Sequence, residues 1–295
     1  MKGLEKKTLY KCLILTGILL MLITPVFMYF SHDVEVLNKQ YPHLKVQKDN
    51  SLEITIKPGK PNSWARLENI SSFGKWAIVI SEDWGFYSHK GVDVEQMKVA
   101  LTEMVEDSRF RGASTITQQM VKNVFLSGYP TIWRKFHEII LAQKVEDRLS
   151  KKKILEIYLN CIEYGPGIYG IKAASRHYFQ KDPSSLTPRE SAFIAMLLPS
   201  PKVYYVSFKK RKLTKFATKR IEAILRKMKM AKILTPEEYE TELRQRFFWE
   251  KFETPIEVAP SDEALSDEVI PEETPTEEVP APEPTETPEL ELQEI

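Results

Sequence analysis

The chain has 295 residues, with 42 Lys and Arg against 41 Asp and Glu, a net charge of +1. That near-neutral total hides an asymmetry: residues 253–295 carry fifteen acids and no Lys or Arg, which leaves +16 on residues 1–252. Cys12 and Cys161 are the only cysteines, too few and too badly placed for a disulfide-built fold, so a core must hold the domain together.

Residues 1–11 form a short N-terminus carrying Lys2, Lys6, Lys7 and Lys11. Cys12 to Phe30 follows as an uncharged apolar run, long enough to cross a hydrocarbon core of about 30 Å as a helix despite Gly17 and Pro25. The Lys-rich flank predicts a cytoplasmic N-terminus and a body on the outer face of the membrane. A cleaved signal peptide is the rival reading, but the run exceeds an ordinary signal core and no small-x-small cleavage site follows Phe30. A basic body in that position is expected to attract anionic lipid head groups, and it does not meet nucleic acid.

Residues 31–63 read as a membrane-proximal linker, where Leu52-Glu53-Ile54-Thr55-Ile56 alternates like a strand. The folded domain is expected over 64–252 and is mainly α. Asp93 with Gln96 suggests a capping box ahead of a stripe of Met97, Ala100, Leu101, Met104 and Val105. Ser150 is placed to cap a helix running to Asn160. Thr187-Pro188-Arg189-Glu190 and Thr235-Pro236-Glu237-Glu238 each set a hydroxyl, a first-turn proline and a reaching carboxylate at the preferred spacing. Leu213 to Ile233 reads as a long basic amphipathic helix. The acidic tail, 253–295, holds eight prolines and cannot bury enough apolar area to order itself; it is expected to be a disordered spacer or solubilising strip.

Three blocks concentrate the chemistry: Glu82-Asp83-x-x-Phe86-x-x-His89-x-Gly91-x-Asp93, Gly112-x-Ser114-Thr115-Ile116-Thr117-Gln118-Gln119-x-x-Lys122-Asn123, and Arg134-Lys135-x-x-Glu138. Glu82 follows the apolar run Trp76 to Ile80, which could set its carboxylate against low-dielectric walls and raise its pKa. Ser114 or Thr115 can cap a helix whose polar side would then hold Gln118, Gln119, Lys122 and Asn123. Arg134 and Glu138, at i and i+4, suggest by themselves only a surface ion pair.

With Lys153 to Asn160, Gly170 to Phe179 and Leu186 to Ala195, these blocks follow one another in an order that resembles the peptidoglycan glycosyltransferases of family 51, over residues 64–205. The resemblance implies a lysozyme-like glycosyltransferase domain with a small membrane-embedded lobe. It also implies an inverting enzyme that polymerises lipid II into β-1,4-linked glycan, with the growing lipid-linked strand as donor. By resemblance Glu82 is the base and Glu138 the second carboxylate assisting departure of the lipid diphosphate. Asp83, Phe86, His89, Ser114, Thr115, Gln118, Gln119, Lys122, Asn123, Arg134 and Lys135 are the candidate substrate-side residues. His137 stands where relatives carry a further basic residue, which predicts weaker, pH-dependent phosphate binding there.

No protein metal site is spelled out; any Mg²⁺ or Mn²⁺ would be shared with the diphosphate. Trp133 and Phe136, with the Phe125-Leu126 pair before Gly128-Tyr129-Pro130, suit either a membrane interface or core packing. Ser150-x-x-Lys153 and Ser207-x-x-Lys210 match a transpeptidase nucleophile formally, but no Lys-Thr-Gly triplet or following domain accompanies them, so a monofunctional enzyme is expected. Other cell-wall synthesis or division proteins are the expected protein partners. The rival functions are a lytic muramidase, which would share the fold, and an inactive scaffold; the clustered cations favour synthesis, because a hydrolase protonates an alcohol and has no use for them.

Overall fold

The computed structural model describes residues 32–47, 52–106, 112, 114–126 and 131–251, with scattered positions between 10 and 27. The described fold lies in one compact unit ending at Glu250. Those scattered positions are helical, and among the described residues no helix is long and apolar enough to cross a membrane. Much of the 12–30 run, Gly128 to Pro130 and the acidic tail lie outside the described residues.

Strand β1 (Tyr41–Val46) pairs antiparallel with β2 (Leu52–Lys57), Tyr41 opposite Lys57 and Val46 opposite Leu52. The alternating stretch at 52–56 thus forms the local pairing its pattern predicts. Among the described residues, the regular structure that follows is helical apart from one small hairpin.

Helix starts coincide with side-chain oxygens that satisfy the free N–H groups of a first turn. Ser71 opens α1 (Ser72–Glu82) and Asp93 opens α2 (Val94–Glu106), accepting from Gln96 N at 2.9 Å. Thr115 opens α3 (Ile116–Phe125), Thr131 opens α4 (Ile132–Arg148) and Ser150 opens α5 (Lys151–Cys161). After α6 (Ile171–Phe179), Thr187 caps α7 (Pro188–Leu197) with the reciprocal Glu190 bond. Two short helices, α8 (Pro201–Tyr204) and α9 (Val206–Lys209), precede α10 (Lys215–Met230), capped by Thr214. Thr235 and Glu238 box the start of α11 (Pro236–Arg244). Each such cap contributes on the order of 1 kcal/mol. The basic helix expected from 213 begins two residues later because Thr214 is its cap, and it stops before Lys232, which is left-handed at φ 57°.

All ten residues of α7 are buried, so it is the central helix of the core and shows no polar face. Helix α1 packs along it through Gly74 to Ile80, and α10 covers both with Ala217, Ile221, Ile224, Leu225 and Met228. Each fully buried aliphatic side chain here contributes roughly 1.5–3 kcal/mol. A second group is built on α3, which packs on both α4 and α5.

The fourth motif block staples the chain ahead of α1 to this scaffold. Glu156 accepts from Trp64 Nε1 at 3.0 Å and Leu67 N at 2.9 Å, while Asn160 bonds the Ala65 backbone through both amide ends at 2.8 Å. After Asn160 the chain forms a hairpin of β3 (Glu163–Gly165) and β4 (Ile168–Tyr169), turned at Pro166-Gly167 with Gly167 at φ +72°.

Both Ser-x-x-Lys matches are structural. Ser150 caps α5, and buried Ser207 accepts from Thr214 N at 3.3 Å.

Candidate active site

Glu82 is the last residue of α1, at the end where the helix dipole opposes a negative charge. It is half-buried, and burial is the main force raising its pKa above the ordinary glutamate value. A hydrogen bond from Gln119 opposes that rise, as do Arg220 and Lys122, while Asp83 adds to it. Such a carboxylate is a poor resident ion and a willing proton acceptor.

Asp83 holds the site together instead of facing a ligand. Its Oδ2 accepts from Ile116 N at 2.9 Å, at the positive end of α3, and its Oδ1 bonds His89 Nε2 at 2.8 Å. This buried carboxylate therefore ties the end of α1 to the start of α3. Gly91 completes the joint: with φ +80° it passes so close to α4 that a Cβ would lie 2.9 Å from the Ala142 backbone, and its carbonyl accepts from Thr115 Oγ1 at 2.7 Å.

Several substrate-side candidates are consequently corrected. Phe86 is 0% exposed and Gln118 is 1% exposed, so neither presents surface to a ligand. Gln118 is the reciprocal member of the capping box, its Oε1 accepting from Thr115 N at 3.0 Å, while its buried Nε2 meets no hydrogen-bond partner among the described residues. Thr115, not Ser114, is the cap, and it is buried with its hydroxyl committed to Gly91. Asp83 pairs with Nε2 of largely buried His89, whose Nδ1 meets no partner among the described residues. All five are buried or nearly so, with contacts inside the fold.

The remaining candidates converge. Gln119 Nε2 donates to Glu82 Oε2 at 2.9 Å and reaches the Ser114 carbonyl at 3.4 Å. Lys135 Nζ donates to Ser114 Oγ at 2.8 Å and to Glu138 Oε1. An unbroken line of polar contacts therefore joins Glu82 to Glu138 through Gln119, Ser114 and Lys135. Glu138 is 3% exposed and also faces Arg134 at 3.8 Å, so the i, i+4 pair is no solvated surface bridge. Lys122 lies one turn beyond Gln119; partial desolvation lowers its pKa most, Glu138 and Glu82 act to raise it, and Arg134 and Lys135 to lower it. It feels both carboxylates. Asn123 is half-buried beside it on α3.

Among the described residues, the group of three metal-type side chains close enough to share an ion is Asp83, His89 and Asp93. Hydrogen bonds within the fold occupy both Asp83 oxygens and Asp93 Oδ1, so these groups already have structural partners. Glu138 belongs to no such group, and its carboxylate meets cations.

Two contributors escaped the sequence reading. Tyr158, fully buried on α5, donates to Gln119 Oε1 at 3.0 Å, and Arg220 on α10 acts on Glu82. A tyrosine in an apolar helical stripe reads as core, and a lysine- and arginine-rich helix does not announce which cation turns inward.

Comparison with known proteins identifies the family. The transglycosylase family matches residues 50–229. A biosynthetic peptidoglycan transglycosylase of Nitrosomonas eutropha is 39% identical over 172 residues, covering 58% of this chain and 65% of the relative. One of Brucella suis is 46% identical over 143 residues, covering 48% of this chain and 64% of the relative. One of Herminiimonas arsenicoxydans is 32% identical over 228 residues, covering 75% of this chain and 95% of the relative. The matches to the first two relatives thus span just under two thirds of those proteins' lengths. The family match, the helical architecture around α7 and the two carboxylates joined through Gln119, Ser114 and Lys135 lead to one conclusion: the chain belongs to the transglycosylase family.

Proposed function

We propose that the chain polymerises lipid II into β-1,4-linked glycan, releasing the lipid diphosphate, and carries no transpeptidase activity. The observation that carries this reading is the polar line from Glu82 to Glu138, with Lys122 coupled to both ends. Glu82 takes the proton of the acceptor sugar hydroxyl as that oxygen attacks the anomeric carbon of the donor. The carbon–oxygen bond to the diphosphate breaks with inversion, and its electron pair leaves on the diphosphate. Lys122, Arg134 and Lys135 offset the charge that develops there. Glu138 holds Lys135 and Arg134 in place for that task. Mg²⁺ or Mn²⁺ enters only as an ion carried by the diphosphate, and no step depends on it. Cleavage of finished glycan is disfavoured, since a hydrolytic pair needs a protonated acid at the leaving oxygen and not a ring of cations.

The lipid-linked substrates place this chemistry at the outer face of the cytoplasmic membrane. The apolar run 12–30 serves as a single-pass anchor in this reading, with its Lys flank inside. Ile132, Trp133 and Phe136 support it from the other end: they are 70%, 64% and 53% exposed on the same helix as Arg134, Lys135 and Glu138, so they form the membrane-embedded edge of the lobe. Phe125 and Leu126, half-buried, contribute less. Other cell-wall synthesis proteins are the proposed partners of the basic body and acidic tail.

Purified full-length protein mixed with lipid II in detergent is expected to produce long glycan, resolved by gel and digestible by muramidase. Solubilisation of finished cell wall with lipid II untouched would overturn the reading in favour of the lytic alternative. The joint variant Trp133→Ser/Phe136→Ser is expected to raise the KM for lipid II in bilayer vesicles about tenfold, from lost apolar burial. Its thermal midpoint should stay at the wild-type value; an unchanged KM would remove the interfacial role.

A further inference from the structure

Behind Glu82 lies a phenol whose role the motif spacing does not give. Tyr158 Oη meets Gln119 Oε1 at 3.0 Å, and the same amide turns its other end to Glu82 Oε2 at 2.9 Å. A primary amide has a donor end and an acceptor end of nearly the same shape, so its orientation is chosen by its neighbours. Two neighbours choose it here. The Ser114 carbonyl, at 3.4 Å, asks for the N–H end, but that contact is long and weak. Tyr158 is 0% exposed and supplies the one strong constraint, because a buried hydroxyl must donate and Gln119 Oε1 is the acceptor it meets.

We propose that Tyr158 is a positioning residue for the base: its hydroxyl locks the Gln119 amide so that N–H, and not C=O, faces Glu82. The proposal rests on Glu82 being the base. With the amide reversed, Gln119 Oε1 would stand against Glu82 Oε2 at hydrogen-bond distance, an arrangement satisfied only when Glu82 carries a proton. The lock therefore favours the ionised, proton-accepting form. Burial also keeps the phenol itself protonated, since its pKa is pushed well above the ordinary tyrosine value. The other groups acting on Glu82 are Asp83 on its own element, Lys122 on α3 and Arg220 on α10, with the buried neutral phenol of Tyr164 on β3. Asp83 opposes ionisation, and the two cations favour it without orienting the amide.

Tyr158→Phe keeps the ring and deletes one oxygen, which makes it the informative variant. The acid limb of its kcat/KM profile is expected to move to higher pH by about 0.5–1 unit, the equivalent of one ordinary hydrogen bond. At pH values below the limb this amounts to roughly a three- to tenfold loss, with the alkaline plateau near wild type. In a Gln119→Ala background Tyr158→Phe should produce no further shift. An unmoved limb would overturn the proposal even if the thermal midpoint falls, since that combination assigns Tyr158 to packing alone.

A second measurement does not need polymerisation. The gap in thermal midpoint between a protein and its Glu82→Gln counterpart, followed against pH, reports the ionisation of Glu82 in the folded state. That gap should go on widening to higher pH, and level off at a larger value, in the Tyr158→Phe background than in wild type, and identical curves would overturn the lock. Wild-type protein inert on lipid II would instead sink the activity reading, leaving these curves to decide the lock by themselves.

Discussion

Glu82→Gln is expected to cut polymer formation from lipid II about a hundred- to ten-thousand-fold, the usual contribution of a positioned base. Gln occupies nearly the same space, so loss of the acceptor lone pair is separated from loss of shape. The pH behaviour gives an independent check on the same residue. Burial raises the Glu82 pKa in the folded protein, so wild-type activity should fall as pH drops through a value above that of a free glutamate.

The same shift has a stability consequence of definite sign. For a carboxyl whose folded pKa is raised, the favourable contribution is complete below the ordinary glutamate pKa and is lost as pH rises through the raised one. Glu82→Gln should therefore melt above wild type at pH 8 and level with it in acid. An inactive variant that melts below wild type at pH 8 would mean that the substitution unseats Gln119, and activity loss would then say nothing about proton transfer.

Lys135→Met is the second large effect. Lys135 holds Ser114 Oγ at 2.8 Å and Glu138 Oε1, so its removal both deletes a cation and cuts the line joining the carboxylates. A fall of about a hundredfold in kcat is expected, comparable with loss of one preorganised donor at a site of developing charge. The effect should fall on kcat more than on KM, because the charge it meets is greatest as the diphosphate departs. Lys135→Arg, which keeps the cation, should recover a large part of the rate. Full activity in Lys135→Met would place the leaving-group task on Lys122 and Arg134 alone.

The chemical residues were legible in the sequence to different degrees, and the differences have physical causes. Glu82, Gln119, Lys122, Arg134, Lys135 and Glu138 were named through the family resemblance, since spacing alone reads them as polar surface, and the fold brings them near one another. Helix caps at Ser150, Thr187 and Thr235 were readable because capping is a local bargain between residues three apart. Gln118 was misplaced for a related reason: a helical wheel sets it beside Gln119 on a polar side, but it sits at the third position of the helix and is drawn back to Thr115. Phe86 could not be judged from the chain, because whether an aromatic in a motif closes a pocket or fills a core depends on what packs over it. Lys151, from the distant start of α5, sets its ammonium 4.5 Å from that ring. Tyr158 and Arg220 were out of reach for the same reason, since both meet Glu82 or its partner only through tertiary packing.

Helix α4 carries exposed Trp133 and Phe136 interleaved with Arg134, Lys135 and Glu138 within two turns. Consecutive residues of a helix advance about 1.5 Å along its axis and rotate by a fixed angle. In the proposed reading, the grip on the lipid's charged end and the surface that meets its hydrocarbon surroundings are thus machined from one rigid rod. Helix α4 is unbroken between them, so on this proposal the depth at which the protein rides would set the height at which a head group is grasped. An insertion or deletion of a single residue between Trp133 and Glu138 would rotate one function away from the other, a sharper constraint on this stretch than any one of its side chains imposes.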